Sequence, residues 1–147
     1  MIIGIDPGAN GGIAWGSSNQ KACAVKMPAT NGDILALLRG YYQPGSVVYL
    51  EDLVKYAGTD MKGATMSVYA RNFGFIEGAV MALGLRLVIV PPKKWQGIYG
   101  FGSSRNLTKT VWKNKLKAEA QRRNPHLKVT LATADALLIL EWGGTNG

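Results

Sequence analysis

The chain has almost none of the residues that form disulfides or zinc sites. Its 147 residues include one cysteine, Cys23, and one histidine, His126. A lone thiol excludes an internal disulfide and a cysteine-based zinc site, and it is typical of an intracellular protein. Because Cys23 lies in an apolar segment, we expect it to be a small buried side chain. Acidic residues are also scarce: nine Asp and Glu stand against 17 Lys and Arg, which gives a formal net charge of +8.

Long hydrophobic runs are missing as well. No apolar run approaches the ~18 residues that a membrane-spanning helix needs, and Met1 leads directly into an apolar segment without the basic region that opens a signal peptide. We therefore expect no membrane partner and a place inside the cell, in the cytoplasm (the nucleoid or the cytosol of a phage-infected cell) or in an organelle. The length predicts one domain, residues 1–147, with a core that needs no disulfide.

Positive charge is concentrated in one part of the chain. Between Lys93 and Lys128 there are ten basic residues and a single acid, Glu119. A solvated helix face normally mixes charges so that residues four apart can pair. The imbalance instead favours a surface that binds nucleic acid. The candidate DNA-binding residues here are Lys93, Lys94, Arg105, Lys109, Lys113 and Lys117.

Apolar periodicity and turn residues predict an α/β chain. The predicted strands are 1–6, 11–16, 21–27, 46–51 and 86–90. The predicted helices are 33–40, about 65–83, about 108–123 and 132–142. Three strands in a meander followed by alternating helices and strands predict a mixed sheet. The glycine-rich stretch 97–106 is predicted to be a mobile surface loop.

Three acids stand at the ends of apolar segments. Asp6 ends the first predicted strand, Glu51 ends the fourth, and Asp135 lies near the start of an apolar helix. A carboxylate in apolar surroundings is costly unless it is paired, hydrogen-bonded or bound to metal. The Asp-Pro-Gly sequence at residue 6 is, by itself, equally typical of a plain turn. The three acids together favour a shared site.

The order of the strands predicts where this site forms. If the first and fourth strands are parallel neighbours, Asp6 and Glu51 lie together at the carboxyl edge of the sheet, where α/β proteins usually build their sites. Neighbouring residues of a strand point to opposite faces, so Glu51 and Asp52 cannot both contribute. Glu51 is the candidate because it continues the alternation of Val47 and Tyr49.

Converging carboxylates imply a cation. Three of them repel one another unless a positive charge neutralises them, and Mg²⁺, with Mn²⁺ as a substitute, prefers carboxylate and water oxygens. Two such ions held by Asp6, Glu51 and Asp135 could activate a water on one side of a phosphodiester and stabilise the leaving oxygen on the other. A basic surface beside such a site predicts a nuclease.

These motifs resemble those of the RuvC-like Holliday junction resolvases in the ribonuclease H-like superfamily, which has bacterial, phage and chloroplast members. The resemblance covers nearly the whole chain. It rests on Ile3-Gly4-Ile5-Asp6-Pro7-Gly8, on Leu50-Glu51, on Val90-Pro91-Pro92 with Trp95, and on Ala134-Asp135-Ala136-Leu137-Leu138.

The resemblance implies a fold, an activity and a partner. The fold is an α/β, ribonuclease H-like mixed five-stranded sheet, an antiparallel meander followed by parallel strands, flanked by helices. The activity is a structure-selective, metal-dependent endodeoxyribonuclease that resolves four-way DNA junctions by paired phosphodiester hydrolysis, with Asp6, Glu51 and Asp135 as metal-binding catalytic residues. Symmetric cutting of two strands implies a homodimer.

The resemblance also implies junction contacts in the segment after Glu51. The candidate DNA-binding residues there are Lys55, Tyr56, Met61 and Lys62. Tyr56 and Met61 are the candidates for a wedge that stacks on unpaired bases. Tyr69 and Phe73 have helical spacing and are better interpreted as core residues.

One position departs from the family pattern. The pattern has a further Asp three residues before the last acid, and this chain has Ala132 there. Either three acids suffice, or an acid has been replaced, as in an engineered trap, and the protein binds junctions without cutting them. A RuvC-like nuclease acting on RNA is a further alternative. The first motif also resembles the phosphate loop of the actin and hexokinase superfamily, but 147 residues are too few for the two domains those proteins need.

Overall fold

A computed structural model describes residues 1–41, 43–52 and 63–147 of the chain. The strands are β1 (Ile2–Asp6), β2 (Gly12–Ser17), β3 (Gln20–Lys26), β4 (Val47–Glu51) and β5 (Arg86–Val90). The helices are α1 (Asn31–Gly40), α2 (Gly63–Ala82), α3 (Pro92–Gln96), α4 (Lys109–Arg123) and α5 (Leu131–Asn146), with a 3₁₀ turn at Gly97–Tyr99.

The five strands form one mixed sheet in the order β3-β2-β1-β4-β5. Strand β2 is antiparallel to both β1 and β3, β4 is parallel to β1, and β5 is parallel to β4. The predicted antiparallel meander followed by parallel strands is therefore confirmed. The parallel pairing of β1 and β4 brings their carboxyl ends to the same edge, as the position of the acids requires.

Alternate residues of the central strands supply two cores, one on each face of the sheet. On one face, Ile3 and Ile5 of β1 pack with residues of α1 and α2 such as Ile34 and Ile76. On the other face, α5 lies on the sheet and α4 packs against α5. Helix α5 supplies more of that core than any other element. Asp6 and Glu51 lie at the edge of this second face.

Helix α5 packs directly on the backbone of β1. A Cβ added at Gly4 would collide with the carbonyl oxygen of Ala136 and the backbone nitrogen of Leu140. The absence of a side chain at Gly4 therefore lets the helix approach the central strand closely enough to bring its first turns to the sheet edge.

The predicted elements agree with the structure to within about two residues at most boundaries. The main differences follow Val90, where α3 and the 3₁₀ turn had not been predicted. The prediction of a mobile loop over 97–106 is wrong for its first part: Tyr99 is buried, its hydroxyl donates to the carbonyl oxygen of Leu138 at 2.6 Å, and Phe101 packs against the core. Because its aromatic side chains pack into the core, the first part of this segment is not a surface loop, despite its glycines.

The prediction that Cys23 is buried is also wrong. Cys23 is exposed on β3, which is the edge strand of the sheet and has several exposed positions. An edge strand has a neighbour on one side only, so apolar composition does not ensure that its side chains are covered. In the part of the chain that the structure describes, no helix is long and apolar enough to span a membrane.

The close approach at Gly4 predicts a large effect of a single methyl group. Gly4→Ala should lower Tm by about 5–10 °C, because the new Cβ meets helix backbone that cannot move aside as a side chain can. Gly78→Ala is the matched control, since a Cβ there meets no described atom within 4 Å and alanine favours the helix by about 1 kcal/mol. Thermal unfolding of both variants measures the difference. Equal Tm values for the two variants would contradict the close packing of α5 on β1.

Candidate active site

Asp6 and Glu51 lie side by side at the carboxyl edge of the sheet. The parallel register pairs Ile5 with Leu50, so the acids occupy the next position of each strand. Both are almost completely buried, with 7% and 3% of their surface exposed. Their carboxyl groups are close enough to share a hydrogen bond when one of the two is protonated. Asp52, the alternative acid, is only half-buried, and its backbone N–H donates to Val90 O at 3.0 Å.

Helix α5 supplies the third acid, Asp135, which is 2% exposed. A reciprocal capping box fixes the start of the helix: the Thr130 hydroxyl caps the Thr133 backbone, and the Thr133 hydroxyl accepts from the Thr130 N–H at 3.0 Å. Because the cap and the close packing at Gly4 both fix the helix, Asp135 stays near the two strand acids.

The three acids, here named the carboxylate cluster, strongly influence one another. Burial and then the charges of Glu51 and Asp135 raise the pKa of Asp6 well above its usual range. Burial and then the charge of Asp135 raise the pKa of Glu51 to about 7. The shifts have the sign expected of buried carboxyl groups that repel one another. The cluster therefore favours a bound positive charge.

Lys113 of α4 supplies one positive charge. Its ammonium group forms an ion pair with Oδ2 of Asp135. Burial alone would lower the pKa of Lys113, but the charges of Asp135 and Asp6 outweigh this effect and raise it. The other oxygen of Asp135, Oδ1, is buried and has no hydrogen-bond partner among the described residues.

The donor chemistry of the cluster fits a hard divalent cation. All of its donors are carboxylate oxygens, which Mg²⁺ and Mn²⁺ prefer, and the unpartnered Oδ1 of Asp135 is a buried acceptor that a cation would satisfy. As they are arranged, however, the described residues contain no group of three or more His, Cys, Asp or Glu side chains that could hold a metal ion. Asp135 is paired with Lys113, and Asp6 is paired with Glu51. A cation held by all three would have to replace these pairings.

Trp95 is a residue of this site to which sequence reasoning gave no role. It is completely buried, and its indole Nε1–H donates to Oε1 of Glu51 at 2.9 Å. This hydrogen bond opposes the rise in the pKa of Glu51 and holds one of its oxygens in place. A Trp directly after the two lysines Lys93 and Lys94 was the available signal, since a buried indole N–H needs an acceptor.

Helix α2 holds the turn that follows Asp6. The Gly8 N–H donates to Oδ1 of Asn72 at 2.7 Å, and Gly8 has a φ of 103°, which glycine adopts without strain. The Tyr69 hydroxyl donates to the backbone oxygen of Glu51 at 3.2 Å, and Tyr69 is buried beside Phe73. The prediction that these aromatic residues belong to the core is confirmed, and Tyr69 also contacts the site.

A groove of about 480 Å³ reaches the carboxylate cluster at Asp6 and is named the active-site groove. Its lining includes the turn after Asp6, and Lys109 and Lys113 of α4. Of the remaining predicted DNA-binding residues, Lys93, Lys94 and Arg105 are exposed and Lys117 is half-buried on α4. Lys55, Tyr56, Met61 and Lys62 lie outside the described residues.

Ala132, at the position where the family pattern has an acid, lies in the first turn of α5. It is half-exposed, one turn before Asp135, and its carbonyl oxygen packs against Gly12 of β2. The neighbouring Leu131 lines the active-site groove. A longer side chain at position 132 would therefore start beside the groove rather than in the core.

No known family model and no curated protein sequence matches the chain. Solved structures do match it. The RuvC structure from Thermus thermophilus has a TM-score of 0.60 and 17% identity, covering 95% of this chain and 90% of that one. The same protein in complex with a Holliday junction substrate has a TM-score of 0.58 and 16% identity, covering 95% of this chain and 89% of that one. Fowlpox virus resolvase in complex with its Holliday junction substrate has a TM-score of 0.55 and 18% identity, covering 96% of each chain.

These similarities define the class of structure. The chain has the RuvC-like ribonuclease H fold over nearly its whole length. At 16–18% identity, they establish the fold and leave the activity to be argued from the site.

The hydrogen bond from Trp95 predicts an effect on metal binding. Trp95→Phe should bind Mg²⁺ several-fold more weakly at neutral pH, because Glu51 loses a donor that favours its ionised form. Calorimetric titration measures the affinity. In the unaltered protein, the Trp95 indole N–H resonance should also shift when Mg²⁺ is added.

Trp112→Phe is the matched control. Trp112 packs edge-on against Phe101 at 6.1 Å and is half-buried. Its substitution removes an indole of the same size without touching the carboxylate cluster. If the two variants bound Mg²⁺ equally well, Trp95 would not position Glu51.

Proposed function

We propose that this protein is a metal-dependent endonuclease that resolves four-way DNA junctions. The observation that carries the proposal is the convergence of Asp6, Glu51 and Asp135 from three separate elements onto one buried edge, beside a groove with basic residues. The RuvC-like fold adds support, because two of the matching structures are described with Holliday junction DNA. The excess of basic residues suits a polyanionic substrate.

The charges of the site support a requirement for a divalent cation. Three carboxylates with Lys113 leave two negative charges, which one Mg²⁺ or Mn²⁺ would neutralise, and the phosphates of DNA would balance a second ion. Asp6, Glu51 and Asp135 would hold the metal, which when bound activates a water and stabilises the leaving oxygen of the phosphodiester.

The residues around the cluster have separate roles in this proposal. Trp95 keeps Glu51 oriented and favours its ionised form. Asn72 holds the turn after Asp6, which forms the wall against which the scissile strand lies. Lys113 and Lys109 give the active-site groove positive charge where the phosphodiester enters. Lys113 can also neutralise Asp135 when the groove is empty of substrate.

The protein acts as a homodimer in this proposal, because a four-way junction is resolved by two symmetric cuts and each protomer contributes one carboxylate cluster. The exposed apolar side chain of Met81 on α2, with 66% of its surface accessible, is consistent with a surface that another chain covers. Sedimentation of the protein with and without junction DNA measures this state.

A cleavage assay tests the activity. With Mg²⁺, the protein should cut a synthetic four-way DNA junction, and it should leave a linear duplex of the same sequence and a structured RNA uncut. Asp6→Asn should abolish cleavage, because the amide keeps the shape of the carboxylate and loses its charge. Junction binding in EDTA should be retained or slightly tighter, since one repulsive charge beside the phosphates is gone.

Glu77→Gln is the control for the loss of a carboxylate, because it neutralises an acid in the C-terminal half of α2. It should cut as well as the unaltered protein. If Asp6→Asn cut the junction as fast as the unaltered protein, Asp6 would not be a catalytic residue. Binding of the junction without any cutting by the unaltered protein would favour a junction-binding protein, and preferential cutting of the RNA would redirect the proposal to RNA.

Ala132 provides a second test of the site. Ala132→Asp adds a carboxylate one helical turn before Asp135 and beside the active-site groove, within reach of a metal. If a fourth ligand is missing, cleavage should rise by orders of magnitude and half-maximal rate should need less Mg²⁺. Ala132→Asn controls for size. No gain at any Mg²⁺ concentration would leave Asp6, Glu51 and Asp135 as the complete set of carboxylate ligands.

A further inference from the structure

A second groove adjoins the active-site groove and is named the side groove. It has a volume of about 700 Å³, and Ala9 and Val68 line both grooves. Its basic residues are Lys26, at the end of β3, and Arg71, on α2. Both lie outside the lysine-rich segment that the sequence singles out, so charge clustering along the chain does not reveal them.

The sheet register fixes Lys26 relative to the carboxylate cluster. Asp6 pairs with Gly12, and Gly12 pairs with Lys26, so the three residues lie across adjacent strands at the same level. With strands about 4.8 Å apart, the Cα atoms of Lys26 and Asp6 are roughly 10 Å apart. The Met27 N–H also donates to Gly11 O at 2.9 Å, which ties the end of β3 to the turn after Asp6.

Arg71 is held near the same turn from the opposite side. Its neighbour Asn72 accepts a hydrogen bond from the Gly8 N–H. Lys26 and Arg71 are both exposed, and neither forms an ion pair with an acid among the described residues. The nearby acid Asp33, in the first turn of α1, is hydrogen-bonded to the Thr30 hydroxyl at 2.6 Å. The two cations are therefore available to an external anion.

The lining of the side groove is partly apolar and includes Met27, Pro28 and Val68. A groove that combines cations with apolar groups can bind a nucleic acid strand through its backbone and sugars without reading its sequence. A strand rises ~3.4 Å per nucleotide along its axis, so Lys26, roughly 10 Å from Asp6, lies beside phosphates within about three nucleotides of Asp6.

We propose that the side groove binds the sugar–phosphate backbone of the strand whose scissile phosphate lies at Asp6, with Lys26 and Arg71 contacting phosphates within about three nucleotides of the cut. The inference rests on the proposed nuclease function for the identity of that strand. It assigns the side groove to substrate binding, separate from the lysines of α4 that line the active-site groove.

The test is the salt dependence of junction binding in EDTA, where cleavage is absent. Lys26→Gln and Arg71→Gln should each weaken binding about fivefold at ~0.15 M salt, and the double variant about thirtyfold. A plot of log Kd against log salt should lose about 0.9 in slope for each charge removed, irrespective of the junction sequence. Thermal unfolding checks that the variants remain folded.

Lys21→Gln with Arg86→Gln is the matched control. Lys21 lies near the other end of β3 and Arg86 at the opposite edge of the sheet, and both are exposed. The control double variant loses the same net charge as the Lys26 and Arg71 double variant. If the side groove is a binding site, the control should change the slope much less than that double variant does. Equal effects of the two double variants would overturn the proposal.

Charge-neutral methylphosphonates in the DNA locate the contacts. Replacing the phosphates within about three nucleotides of the cut on the side-groove side, one at a time, should weaken binding by the unaltered protein at one or two positions. The same replacements should have little further effect on the Lys26 and Arg71 variants. The unaltered protein could cut junctions while the effects of protein substitutions and methylphosphonates on the binding free energy add independently at every phosphate. The proposed role of the side groove would then be wrong, and the nuclease function would stand. If the protein substitutions and the methylphosphonates are coupled as expected but the protein never cuts, the side groove binds the strand and the nuclease function is wrong.

Discussion

The structure depends on the cost of burying three carboxyl groups together. Burial and mutual repulsion raise the pKa values of Asp6 and Glu51, and this cost acts against folding. The surrounding structure offsets it in three places: the Asp6–Glu51 hydrogen bond, the indole of Trp95 on Glu51, and the ammonium of Lys113 on Asp135. A cluster that only stabilised the fold would be better replaced by apolar side chains of the same size. Its presence is therefore best explained by a positively charged ligand and the chemistry that this ligand allows.

The geometry of the site follows from how α5 meets the sheet. The helix approaches β1 through Gly4, and the capping box at Thr130 and Thr133 sets where it begins. These two constraints decide that Asp135, and not another residue of the helix, lies next to the strand acids. Helix α2 acts from the other side by holding the turn after Asp6 through Asn72. The carboxylate cluster is thus supported by elements on both faces of the sheet.

The charge of the molecule is organised around this negative centre. Buried carboxylates repel DNA, and the basic residues of the two grooves compensate for that repulsion along the path that a strand would take. Lys109 and Lys113 lie on the α4 side, and Lys26 and Arg71 lie on the β3 and α2 side. In the proposed function, a phosphodiester would thereby be attracted to a site where the acids alone would repel it. Substrate binding and metal binding would then be coupled, because each supplies charge that the other needs.

Local patterns of residues predicted the strands and helices along the chain, a mixed sheet, and Asp6, Glu51 and Asp135 as the candidate acids, since apolar periodicity and the ends of apolar runs are local signals. The excess of lysines also indicated a nucleic-acid surface. The order of the strands in the sheet and the contacts between side chains are set by tertiary packing. Trp95 is 44 residues from Glu51, and Lys113 is 22 residues from Asp135. Lys26 reaches the side of Asp6 only through strand pairing. Contacts of this kind depend on how helices and strands pack, and no local pattern of residues encodes them.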